Sequence, residues 1–271
     1  MPELPEVETV RRTLEPALVG RTIKSVAVTR DRAVRRQSHE EFVAILRGRR
    51  IGGVRRHGKF LIVDLGDGDA IVGHLRMSGQ LRVVPRGEDT AKHTHVVVDL
   101  DDGSQLRFID PRTFGELFVD ELDGDRPRSL AHLGPDALTR MRASTFHDRV
   151  VAGRRLANVK SALLDQTTVA GVGNIYADEA LFAARLAPQR LASTITLGEA
   201  AELHRRLGLI LRAAIKARGT SFDFAYADGR FSPKVYGREG KPCIRCRTPI
   251  QKLVVAQRGT HVCPICQPCA K

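Results

Sequence analysis

Two C-x-x-C pairs, Cys243-Ile-Arg-Cys246 and Cys263-Pro-Ile-Cys266, stand sixteen residues apart (247–262) near the end of a 271-residue chain. Four thiolates on two such knuckles form the donor set of a tetrahedral Zn²⁺, and the intervening stretch has the length of a β-hairpin. A segment this short cannot bury a core of its own, so metal binding must supply its folding free energy. A four-cysteine shell leaves no open coordination position, which predicts one structural zinc rather than a catalytic one. Cys269 falls outside the pattern and reads as a bystander thiol. Pairing of this kind also points to a reducing compartment and away from a disulfide framework. Between the knuckles, "VAQRGTH" predicts a turn projecting Arg258, a side chain suited to phosphate.

Upstream, hydrophobic periodicity changes once. Val7, Val10, Leu14 and Leu18 recur at helical spacing, with Pro16 expected to disturb or end that helix. Ser38 and Glu41 form a capping box for a short helix that buries Phe42, Ile45 and Leu46 and stops at Gly48. The texture is then β, with strands predicted at 23–29, 51–56, 60–65, 70–75, 80–84, 95–100, 105–109 and 116–119. Asp67-Gly68 and Asp102-Gly103 supply hairpin turns. Many short strands favour a sandwich or a barrel, and periodicity does not choose between them. Residues 121–135, rich in Asp, Gly, Pro and Arg, read as a linker. Beyond them a helical domain is expected over 136–235. Thr196 and Glu199 cap a helix whose Leu203, Leu207, Ile210, Leu211 and Ala214 share a face until Gly219. The zinc module fills 236–271.

Lysine and arginine outnumber aspartate and glutamate 44 to 31, a net charge of +13. Such a surplus suggests an extended anionic partner, nucleic acid or an acidic membrane surface. The longest apolar runs, such as Phe60–Val63, fall far short of the roughly 20 residues a membrane span needs, and the acidic N-terminus lacks an apolar signal region. A cytoplasmic protein is expected. A second phosphate candidate lies in "VAGVGNIYADEALF", where Gly171 and Gly173 precede Asn174 and a helical pattern follows. Backbone N–H groups at such a start can face an anion, although Asn174 also reads as an ordinary N-cap. Arg154, Arg155 and Lys160 add positive charge to this half.

The opening "MPELPEVETV" sets two prolines and three carboxylates (Glu3, Glu6, Glu8) within eight residues. While Met1 is present the Pro2 nitrogen is an inert tertiary amide; once Met1 is gone it is a secondary amine. An α-amino group has a pKa near about 8 against about 10.4 for lysine, so a useful neutral fraction exists at neutral pH. Such an amine attacks carbon at the aldehyde oxidation level and forms an iminium, with the adjacent Glu3 placed to move protons. The plainer alternative makes Pro2 and Pro5 helix-initiating residues with Glu6 and Glu8 complementing the dipole. It leaves the terminal proline unexplained.

"PELPEVETVRR", "RRHGKFLIVDL", "GHLRMSGQLR", "DPRTFG", "GVGNIYADEALF", "YGREGKPC" and the two C-x-x-C pairs occur in the order and spacing of the bacterial formamidopyrimidine-DNA glycosylases, which this chain resembles along its length. The resemblance implies an α+β multidomain fold: an N-terminal two-layer β-sandwich, a helix–two-turn–helix domain and a four-cysteine zinc finger, with damaged double-stranded DNA as partner and a monomeric, nucleoid-associated enzyme. It implies a bifunctional glycosylase and AP lyase that excises oxidised bases through a Schiff base and cleaves the strand by β,δ-elimination. Pro2 would be the nucleophile, Glu3 the acid/base, Glu6 its support and Lys59 a catalytic-site lysine near the lesion. Without the motif, Lys59 reads as a solvated strand-end lysine. Met77, Arg112 and Phe114 would fill the gap left by the everted base; by type alone Met77 and Phe114 read as core. His93, Lys160, Asn174 and Arg258 would complete the DNA contacts.

Two departures stand out. Thr113 occupies a position where many relatives have arginine, and the stretch from Thr220 to Tyr236 is shorter than in relatives that excise oxidised guanine. Formamidopyrimidines and 8-oxoguanine are the expected substrates. An endonuclease VIII-like pyrimidine specificity, or a non-catalytic zinc protein that binds damaged DNA, are the alternatives.

Overall fold

A computed structural model describes residues 1–152, 156–221 and 229–269. The chain divides into two compact units, one of Met1–His132 and one of Leu133–Thr220 with the stretch from Gly229 onward.

The first unit opens with α1 (Leu4–Leu18), whose Leu4, Val7, Val10, Leu14 and Leu18 are buried. The helix passes Pro16, which was expected to disturb or end it, and stops two residues later at Leu18. Proline removes the N–H that would meet the Arg12 carbonyl, so the helix forgoes that one bond. Val19 N–H closes that turn on the Glu15 carbonyl at 3.1 Å, while buried Leu18 holds the end down.

Nine strands follow: β1 (Ile23–Val28), β2 (Gly53–His57), β3 (Phe60–Asp64), β4 (Asp69–His74), β5 (Gln80–Pro85), β6 (Thr94–Leu100), β7 (Ser104–Ile109), β8 (Glu116–Asp123) and β9 (Arg126–Pro127). They form two antiparallel sheets, β1-β6-β7-β5 and β2-β3-β4-β8-β9. Leu61, Val63, Ile71 and Leu117 from one sheet meet Val96, Val98, Leu106 and Phe108 from the other around a common apolar gap, so the layers form a sandwich. α2 (His39–Leu46) begins with the expected reciprocal Ser38–Glu41 capping box and buries Phe42 and Leu46. The stretch 121–130, expected as linker, carries the end of β8, the two-residue β9 and a 3₁₀ turn at Arg128–Leu130. Ser129 N–H is tied to the Asp120 carboxylate at 2.8 Å. A two-residue strand has no period to read.

The second unit contains α3 (Ala143–Val151), α4 (Val159–Leu164), α5 (Asn174–Ala184), α6 (Leu197–Lys216) and the hairpin β10 (Gln251–Val255) and β11 (Arg258–Val262). α6 starts at the expected Thr196–Glu199 capping box. Two turns join α4 to α5, braced by Gln166: its amide donates to the Leu164 and Val172 carbonyls and its oxygen accepts Gly171 N–H. α5 is buried from Ile175 through Phe182 and packs against α6, so it has no polar face. Its N-cap is Gly173, not Asn174, which occupies the first helical position. No helix among the described residues is long and apolar enough to cross a membrane.

Glu8 shows how charge fixes α1 on the sandwich. Its carboxylate lies between Arg11, Arg12 and the buried Arg56 of β2. Burial alone would push this carboxyl up, but the three guanidiniums outweigh it and hold it below the usual range. Replacing Glu8 by Gln removes the one negative charge that Arg11, Arg12 and Arg56 share, and we expect a loss of about 3 kcal/mol, read from the urea midpoint at unchanged slope.

Candidate active site

Three of the expected catalytic residues lie at the start of α1: Pro2 just before it, Glu3 at its N-cap and Glu6 in its first turn. Pro2, Glu3 and Glu6 are all buried. Glu3 is the N-cap, Pro5 lies at the second helical position, and the Glu6 carboxylate accepts Glu3 N–H at 3.0 Å. The opening string therefore codes a rigid helix start that fixes the backbone directly after Pro2. α1 lies against β2 and β3, the strands whose connecting turn carries Lys59.

That turn is two residues long, with Gly58 at φ +58° in the first central position and His57 paired to Phe60. Lys59 is 8% exposed, so it is not the solvated strand-end lysine its type suggests. Beside it stands His74, which the motif reading passed over. Burial first, then Arg76 and Lys59, depress its pKa to about 3. Its Nδ1 accepts Arg76 N–H at 2.9 Å, so the neutral ring keeps its proton on Nε2 as a donor.

Met77 and Phe114 are 39% and 52% exposed, which removes the core reading of both. Arg112 and His93 are exposed too, and the Arg112 guanidinium lies over the Phe114 ring at 5.3 Å. Left-handed backbone recurs here at non-glycine residues: Arg76 (φ +51°), His93 (+69°) and Thr113 (+57°). For a β-branched residue such as Thr113 this conformation is costly. Exposed apolar side chains on strained, well-defined loops suit insertion into a stack of bases.

In the second unit the structure brings Asn174, Lys160 and Arg258 to one hairpin turn. Ala256 and Gln257 both adopt positive φ, and Arg258 begins β11 exposed. Asn174 donates one amide hydrogen to the Gly259 carbonyl at 2.9 Å, while its Oδ1 is buried with no hydrogen-bond partner among the described residues. Lys160 lies inside: fully buried, with Nζ 2.7 Å from Asp178 Oδ1, 2.7 Å from Thr260 Oγ1 and 3.3 Å from the Gly259 carbonyl. Direct contact with a phosphate would require breaking this ion pair, so its place is beneath the Arg258 turn. Arg154 and Arg155 lie outside the described residues.

Sequence reasoning missed Asp178 and Glu179. Asp178 also accepts His261 N–H at 2.8 Å, fastening β11 to α5. Glu179 accepts the backbone N–H groups of Lys234, Val235 and Tyr236. Burial raises its carboxyl pKa, and those three donors offset only part of the rise. The available signal was two adjacent acids in an otherwise apolar helical pattern. Of the shortened segment, 222–228 lies outside the described residues; its ends are joined where Arg230 and Phe231 N–H donate to Ala217 and Gly219.

The four knuckle cysteines place their sulfurs within 4.8 Å of one another, with Cys243–Cys266 at 3.9 Å and Cys246–Cys263 at 3.4 Å. A tetrahedral Zn²⁺ with bonds of about 2.3 Å sets sulfurs about 3.8 Å apart, so the donor set fits one structural zinc. The module packs Val235, Cys243, Ile250 and Cys263 against Phe182 of α5, and Arg245 donates to the Phe182 and Ala183 carbonyls at that helix's C-terminus. Removing the metal with a chelator, or replacing Cys263 by Ser, should open residues 240–268 to protease while leaving denaturation of the sandwich unchanged. Limited proteolysis with mass spectrometry reads this directly.

Three family descriptions match in chain order: the formamidopyrimidine-DNA glycosylase N-terminal domain over residues 1–117, the formamidopyrimidine-DNA glycosylase H2TH domain over 133–225, and the zinc finger found in FPG and IleRS over 240–268. The formamidopyrimidine-DNA glycosylase of Symbiobacterium thermophilum is 45% identical, covering 99% of this chain and 90% of its own length. That of Herpetosiphon aurantiacus is 43% identical over 98% and 100%. Among solved structures, the Lactococcus lactis Fpg bound to Fapy-dG-containing DNA superposes with a TM-score of 0.90 at 37% identity, covering 98% of this chain and all of that one. The same enzyme on DNA with an abasic site gives 0.89 at 37%, over 98% and 99%. With full-length identity of this order and all three modules matched in sequence, the chain belongs to the formamidopyrimidine-DNA glycosylase family.

Proposed function

We propose that this chain is a zinc-containing, bifunctional DNA glycosylase and AP lyase that acts as a monomer on oxidised bases in duplex DNA. The observation that carries this reading is the buried Pro2–Glu3–Glu6 start of α1, where a helix cap holds a proline at the position that removal of Met1 would make terminal. In the proposed reaction the Pro2 nitrogen pair attacks C1′ of the damaged nucleotide. The glycosidic C1′–N bond breaks, and the base departs with its electron pair and gains a proton. Glu3 moves protons as the sugar ring opens and the iminium forms, and the adduct then loses first the 3′ and then the 5′ phosphate by elimination. Lys59 adds a positive charge near the reacting nucleotide. Met77, Arg112 and Phe114 fill the vacated stack and His93 contacts the strand.

Residues 1–120 are assigned to catalysis, 121–135 to the connection, 136–235 to helical DNA binding and 236–271 to the zinc module. Asn174 and Arg258 contact phosphate, and Lys160 sets the turn that presents Arg258. Ring-opened purines are the preferred lesions, with 8-oxoguanine second because the segment 220–236 is short. The net charge of +13 suits a cytoplasmic enzyme that works along nucleoid DNA.

Borohydride should trap demethionylated enzyme on lesion-bearing duplex as a covalent adduct, and Pro2→Gly should reduce the trapped fraction strongly. Glu3→Gln should slow base release on the order of 10²-fold. Equal trapping and cleavage by the Pro2 variant would sink the mechanism. Excision rates on formamidopyrimidine, 8-oxoguanine and thymine-glycol duplexes should fall in that order.

A further inference from the structure

Asp110 is fully buried, and no ion pair to a cation reaches it among the described residues. Its carboxylate is met instead by hydroxyl and amide donors. Oδ1 takes the Ser78 hydroxyl and Arg112 N–H (3.2 Å), and Oδ2 takes Gly115 N–H at 2.7 Å. Ser78 Oγ also accepts Arg112 N–H at 3.2 Å, which closes a ring between the two loops. The Asp110 backbone extends the cluster. Its N–H donates to the His93 carbonyl at 3.0 Å, and its own carbonyl accepts Thr113 N–H at 3.2 Å and the His95 Nε2 hydrogen at 2.8 Å. A carbonyl only accepts, so His95 carries its proton on Nε2. Gly115 is obligatory here, because a Cβ would stand 2.7 Å from Phe108 Cζ and 3.1 Å from Asp110 Oδ2.

One residue therefore bonds the loop of Met77 (through Ser78), the backbone of His93 and both flanks of the 112–114 turn. The side chains these loops display are exposed, so burial does not fix them. Unconstrained, each loop residue would surrender backbone entropy when it entered DNA, and Thr113 would leave its left-handed conformation. We infer that Asp110, with Ser78, is the positioning residue that locks the Met77 and Arg112–Phe114 loops into one preformed wedge. The inference rests on the proposed base-eversion activity and adds the residues that pre-organise it.

The test compares two substrates. Excision of a formamidopyrimidine from duplex DNA needs the wedge, because a base must be expelled and its place filled. Cleavage of single-stranded DNA at a preformed abasic site needs only the amine chemistry. Asp110→Asn keeps the shape but cannot accept from Arg112 and Gly115 at once, since one oxygen becomes an NH₂. Ser78→Ala removes a single hydroxyl and serves should the buried substitution fail to fold. For each folded variant duplex excision should fall on the order of 10-fold or more, while single-strand cleavage stays within about twofold of wild type. Parallel loss on both substrates would reduce these residues to general support of the fold, and loss on neither would remove the role altogether; either result overturns the inference. A wild-type chain that cleaves neither substrate overturns the activity reading itself, and the inference with it.

Discussion

The Lys160 ammonium and the Asp178 carboxylate meet at 2.7 Å, both with no exposure to solvent. Removing two such ions from water costs several kcal/mol each, and the attraction between them repays this only with good geometry and further hydrogen bonds. The further hydrogen bonds are present. Thr260 and Gly259 accept from the ammonium, and His261 N–H donates to the second carboxylate oxygen. The pair is a weak argument for net stability and a strong one for position. An apolar contact tolerates small slides, whereas a half-satisfied buried ion costs several kcal/mol. The residues that satisfy it are those flanking Arg258 in the hairpin turn, so this pair specifies where the exposed guanidinium stands.

Zinc and the buried ions divide the work within the second unit. The metal closes the knuckles and lets a stretch with little core fold at all. It does not fix how that stretch sits on its helix. Asp178 supplies that through β11, and Glu179 does so through the backbone of residues 234–236. Arg245 adds a third tie at the C-terminal carbonyls of α5. Adjacent side chains on one helix thus clamp both ends of the module's approach.

The strands were legible because they are short, rich in β-branched residues and separated by turn residues. All eight expected strands are present; seven have edges within two residues of the expected ones, and the last runs four residues further, to Asp123. Both capping boxes are formed, since Ser38–Glu41 and Thr196–Glu199 act within four residues of sequence. What could not be read is non-local. Sandwich and barrel share one alternation, and only the pairing order separates them. Pro16 argued locally for a helix end that buried Leu14 and Leu18 override. Asn174 looked like a cap because its type is common there, yet its amide is engaged with Gly259, far along the chain. Lys160 was expected to contact the DNA backbone from the family resemblance, and the structure places it fully buried against Asp178. Nothing within its own helix reveals Asp178 as its partner. The four cysteines were legible through spacing, which is where chemistry itself imposes the pattern.

The first unit repeats the device with a different donor class. Glu8 is matched by guanidiniums and holds a helix on a sheet; Asp110 is matched by N–H and hydroxyl groups and holds loops. The difference follows from what each must fix. Guanidiniums reach from neighbouring elements and join them, so they suit packing. Backbone N–H donors carry the direction of their own peptide planes, so a carboxylate that takes several of them dictates φ and ψ over consecutive residues. That is what a left-handed Thr113 between exposed Arg112 and Phe114 requires. Side chains that enter DNA must be displayed to solvent, and they cannot be held by burying them. A polar lock beneath the loop is the remaining means of keeping them in place.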